Sequence, residues 1–92
     1  MTQEEIKEKT TKVVIKCYYK ILEKENARLA ETYGEYGLTT LETMDIYQKY
    51  RDKAYDKYGK DQDMFFEDFY DLFDELYKKV KEEKEWEAMI VC

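Results

Sequence analysis

The sequence predicts an all-α fold: a single domain of 92 residues folded as an antiparallel three-helix bundle. Three observations predict it. The chain has no proline and only three glycines. Its apolar residues recur at helical spacing in three stretches, and the glycines fall in the gaps between those stretches. Charged residues make up 41% of the chain, but apolar residues make up 43%, enough for a packed core rather than a disordered chain.

The first helix is expected over positions 3–33. Its stripe is Ile6, Val13, Val14, Cys17, Tyr18, Ile21, Leu22 and Leu29, which keeps the three-and-four spacing of one helix face. Gly34 and Gly37 bracket the connection, where a glycine past the last turn takes the left-handed conformation. The second helix is expected over 39–58. Thr39 and Glu42 form a capping box at its start, and Gly59 marks its end. The third is expected over 63–84, with Asp63 or Asp61 as its cap. On its wheel Phe65, Phe66, Phe69, Tyr70, Leu72, Phe73, Leu76, Tyr77 and Val80 fill one arc. After about position 82 that pattern fails, because Trp86 and Met89 fall on the polar side. Positions 85–92 are therefore expected to form a short, separately packed tail.

Charge is concentrated in one place. Positions 61–75 carry seven carboxylates and no lysine or arginine, so that segment is −7 while the whole chain is −6. Asp63, Glu67, Asp71 and Glu75 are spaced by four, a row rising about 6 Å per step, with Asp68 and Asp74 beside it. Acids near a helix N-terminus are favoured by the dipole, but that effect fades before Asp71, Asp74 and Glu75. Like charges four apart destabilise a helix. The row is therefore either a solvated face kept acidic for solubility or a contact surface for a partner, a protein with a basic surface. Tyr19, which faces away from its own stripe, and Trp86 are the candidate aromatic anchors. Direct binding of nucleic acid is not expected, since no basic stripe stands out beside this acidity. The alternative is a structural subunit that forms a homodimer through its C-terminal segment, with Trp86, Met89, Ile90 and Val91 packed across the interface.

Catalytic and cofactor chemistry is poorly provided for. There is no histidine, which removes the usual general base and the commonest zinc ligand. Two cysteines, Cys17 and Cys92, stand too far apart in sequence for metal or redox spacing, and Cys17 lies on an apolar stripe as a small core residue. No metal or cofactor is expected. The N-terminal stretch shows no apolar signal region, and no stretch has the length to span a bilayer, so a cytoplasmic protein without membrane contact is expected. The only arginines, Arg28 and Arg51, both fall within apolar stripes as a candidate anion or ion-pair site. Arg28 is expected to pair with Glu25. Arg51 is expected between the second and third helices, stacked on Tyr47 or Tyr55 or paired with Asp71, Asp74 or a tyrosine hydroxyl near Tyr70.

In size, charge and aromatic content the chain resembles the small acidic inhibitors that phages and mobile elements direct against nucleic-acid enzymes. Nuclease-immunity proteins and several anti-CRISPR proteins are of that kind. The resemblance implies a non-enzymatic inhibitor or adaptor and transfers no residue role, because no motif aligns. Two inward guanidinium groups in a short three-helix chain also resemble the all-helical chorismate mutases, which grip a dicarboxylate with a larger set of cations. That second resemblance implies a small helical enzyme and rests on size and helix count.

Overall fold

The computed structural model describes residues 2–91, with backbone only at position 61 and at positions 88–91. Three long helices run up, down and up, as expected: α1 (Gln3–Glu31), α2 (Thr40–Ala54) and α3 (Phe66–Val91). Thr2 caps α1, its side chain accepting from the Glu5 amide, while Glu4 and Glu5 face the positive end of the dipole. α1 stops at Glu31 rather than near position 33. The Gly34 amide reaches back to the Leu29 carbonyl at 2.7 Å, closing the wide C-terminal turn in which Tyr33 takes a left-handed φ of 56°. The glycine expected to hold that conformation follows one position later, at φ 82°.

α2 opens on the expected capping box. Thr39 Oγ1 accepts from the Glu42 amide at 3.2 Å and Glu42 reaches back to the Thr39 amide. Its far end differs from expectation. Regular α-helix ends at Ala54 and continues as a wider π turn, Tyr55–Gly59, then one 3-10 turn, Lys60–Gln62. Gly59 is buried there, and a Cβ on it would stand 2.6 Å from the Tyr55 ring and 3.0 Å from Phe69. This glycine is a point of close approach rather than a helix stop. Asp63 then takes a left-handed φ of 56° and turns the chain into α3.

α3 consequently begins at Phe66, three residues later than expected, and Asp63 is not its cap. Phe65 and Phe66, placed by the wheel in the core, are 78% and 53% exposed. Phe65 precedes the helix, so the wheel does not apply to it, and Phe66 at the first turn has the Tyr70 ring beside it. At the other end α3 does not stop near position 84. It runs on to Val91, although the buried stripe goes no further than Val80 among the described side chains. The side chains of Met89, Ile90 and Val91, and all of Cys92, lie outside the described residues, and with them the expected tail packing.

Phe69 and Phe73, both without solvent exposure, form the centre of the core with Ile6, Val14, Ala54 and Val80. Cys17, Ile21 and Ile46 continue it towards the other end. The Cys17 thiol is buried as expected, and burial pushes its pKa up to about 12. Thr10 joins this core with no exposure at all, a position an apolar stripe does not reveal. Between α2 and α3 the contacts are largely aromatic: the Tyr47 ring meets Phe73 at 5.2 Å and Tyr77 at 5.1 Å, edge to face. Tyr77 in turn meets Tyr18 of α1 at 6.4 Å, so one chain of rings joins the three helices.

Candidate functional site

The outward face of α3 is built by the core face behind it. Phe69, Phe73 and Val80 fix the rotation of the helix, which turns Glu67, Asp68, Asp71, Asp74 and Glu75 to solvent; all five are exposed. Asp63 does not join them, since it lies in the left-handed turn before the helix. The row is thus Glu67, Asp71 and Glu75, flanked by Asp68 and Asp74. Asp71 has a carboxylate at each of its four helical neighbours, three and four residues away on either side.

Two of the five acids have partners on the fold. Tyr47 of α2 donates its hydroxyl to Asp74 Oδ1, and Lys79 pairs with Glu75 at 3.7 Å. Burial, then the bond to Asp74, raises the Tyr47 pKa, which keeps that phenol a donor. No ion pair reaches Glu67, Asp68 or Asp71 among the described residues. Three adjacent carboxylates therefore face solvent without a cation.

Arg51 lies beneath the edge of this face, between α2 and α3, with its side chain 20% exposed. Its guanidinium carbon stands 3.8 Å from the centre of the Tyr70 ring and 5.7 Å from that of Tyr47. The pairing expected with Asp71 or Asp74 is replaced by this stacking, and Tyr55 packs instead on Phe69 and Tyr70. The nearest carboxylate is Asp52, 4.0 Å from Arg51 Nε, and that carboxylate accepts from the Tyr70 hydroxyl at 2.7 Å. Ring faces attract a guanidinium because its plane stacks on their negative quadrupole, while the buried Nε of Arg51 makes no hydrogen bond. An anion arriving here would meet Asp52 and Asp74 as well as the arginine.

Arg28 is engaged elsewhere, and not with Glu25. Its two terminal nitrogens donate to both oxygens of Glu42, at 3.1 and 2.6 Å. Glu42 is also the capping-box acid, so one carboxylate closes the start of α2 and ties it to the end of α1. The bond to Arg28 holds the Glu42 carboxyl below its ordinary range. Arg28 and Arg51 are thus held nine residues apart along α2, about 13 Å, and do not converge on one site.

The two candidate aromatic anchors are exposed, Tyr19 at 49% and Trp86 at 65%, but they do not share a surface with one another. Lys84 of α3 stands 5.8 Å from the Tyr19 ring, while Trp86 is two residues further on, about 200° round the helix. Trp86 instead falls on the same side of α3 as Asp68 and Glu75. Phe65 and Phe66, at the head of the acidic row, are aromatic residues the wheel assigned to the core.

A second charged surface was not anticipated. From Lys9 to Lys20, α1 carries four lysines, Lys9, Lys12, Lys16 and Lys20, and no acid. Their spacing of three and four puts them in one row, a signal present in the sequence but hidden under the net negative charge. No helix among the described residues is long and apolar enough to cross a membrane. No known protein family, curated protein or solved structure matches the chain.

Proposed function

We propose that this is a small, non-enzymatic, cytoplasmic binding protein that sets the acidic face of α3 against a basic surface of a partner protein. It acts by occlusion, as an inhibitor or adaptor, in the manner of phage and mobile-element inhibitors of nucleic-acid enzymes. One observation carries the reading: Glu67, Asp68 and Asp71 stand exposed and without cations on a helix whose rotation the core fixes. A preset row of carboxylates loses little conformational freedom on docking, and it takes the place of a phosphate backbone in a lysine- and arginine-lined groove. Tyr47 and Tyr70 add to this by holding Asp74 and Asp52 at the flank of the row.

The test is capture of a basic, nucleic-acid-binding protein on the immobilised chain. Capture is expected to weaken steeply with salt and to be competed by a DNA duplex that occupies the same surface of the partner. Replacing Asp71 and Glu75 together by lysine should abolish it. Unchanged capture by that double variant would leave the acidic face as a solvated surface only.

A further inference from the structure

We propose that the protein associates with itself head to tail, the acidic face of α3 in one copy seating in a lysine-lined groove between α1 and α2 of the next. The inference rests on reading the α3 face as a docking surface, and it names a surface of stated chemistry that fits it. The groove has a volume of about 520 Å³. Its floor is Val13 and Ala54 with the half-buried rings of Tyr50 and Tyr58, and its walls are Lys16 on α1, Lys53 on α2 and Lys57 in the π turn that continues it. Asp56 is the one carboxylate among the lining residues.

The groove does not stop at three lysines. Lys16 belongs to the α1 row with Lys9, Lys12 and Lys20, and Lys53 and Lys57 are themselves one turn apart. Lys9, Lys12, Lys16, Lys53 and Lys57 form no ion pair among the described residues. Nor does the α1 row face the acids of α3. Lys16 lies about 200° round α1 from Tyr18, the ring that meets α3. The one ion pair joining two helices among the described residues is Arg28 with Glu42. Among the described residues each molecule therefore exposes, on different sides, an acidic row in which only Glu75 has a cation and a basic row in which only Lys20 has an acid.

The two rows match in pitch. Lys12, Lys16 and Lys20 repeat every four residues, as do Glu67, Asp71 and Glu75, so both rise about 6 Å per step. Two such helices laid side by side keep opposite charges in register. Phe65, 78% exposed at the head of the acidic row, is the apolar side chain that the floor of the groove receives. A nucleic acid is the weaker occupant, because a chain of net charge −6 repels a polyanion at long range. Because the two surfaces differ, the contact is heterologous, so copies add head to tail into rings or open chains and assembly grows with concentration.

Sedimentation of the full chain decides the matter. In low salt the average mass should rise about twofold or more with concentration and return to that of one chain in high salt. Lys16→Glu with Lys53→Glu should give single chains, as should Glu67→Lys with Asp71→Lys; an equimolar mixture of the two variants should associate again. All four side chains are exposed, so folding is preserved, and circular dichroism checks it. The groove variant should still capture the basic partner, so loss of self-association alone is distinguishable from failure of the α3 docking surface. A wild type that stays a single chain in low salt would overturn the proposal. So would association that survives groove reversal, which places the contact elsewhere, or a groove that retards duplex DNA in a protein that never self-associates.

Discussion

Thr10 sits in the middle of α1 with no solvent exposure, and its hydroxyl has no hydrogen-bond partner. A buried hydroxyl without a partner gives up its bonds to water and regains nothing. Thr10→Val keeps the shape of the side chain and removes the polar atom. It is expected to stabilise the fold by about 1 kcal/mol, raising the thermal midpoint by several degrees. A lower midpoint, read by circular dichroism, would mean that the hydroxyl has a partner after all. Residues of this kind mark the limit of reading side chains from sequence. Cys17 and Val14 announce their burial by being apolar, whereas Thr10 shares their face but is counted as polar. Arg51 lies between α2 and α3 beside Tyr47 as read, but its closest ring, Tyr70, and the partner of Arg28 are missed for a related reason. Both contacts cross between helices, to Glu42 and to the Tyr70 ring, and helical periodicity carries no information about the facing element.

At the scale of elements, local chemistry decided what was legible. The capping box of α2 is written in Thr39 and Glu42 and forms as read, because both partners lie within one turn. The end of the same helix was not legible, because the π turn there serves a tertiary need. Widening the helix at Tyr55–Gly59 lets the chain approach Phe69 at Gly59 and moves the start of α3 to Phe66. Everything downstream follows: Asp63 leaves the row, and Phe65 and Phe66 leave the core. Gly59→Ala tests this account. Its φ of −101° suits any residue, so a cost can come only from the close contacts with Tyr55 and Phe69. A loss of about 1–3 kcal/mol in chemical denaturation is expected. A neutral result would show that the turn has room to spare.

Over the whole molecule, charge is segregated more sharply than the net value of −6 conveys. The acidic segment was conspicuous because it is a run. The lysine row on α1 was not, because acids at both ends of that helix cancel it in any sum over the element. Helix order and direction were legible, and so was the α3 face from Glu67 to Glu75, since the core residues that orient it are themselves periodic. Which side of α1 faces α2 was not, and the groove depends on it.

The account holds that the α3 face is maintained against the stability of its own helix. Asp71 is the most direct place to ask, because its helical neighbours Glu67, Asp68, Asp74 and Glu75 are all carboxylates and all exposed. Asp71→Lys turns four repulsions into four attractions, together about 1–2 kcal/mol. The thermal midpoint of that single variant in low salt is the deciding measurement. The account predicts a rise of several degrees that shrinks as salt is added. A fall in the midpoint would contradict it, since the carboxylates would then be serving the fold rather than a partner.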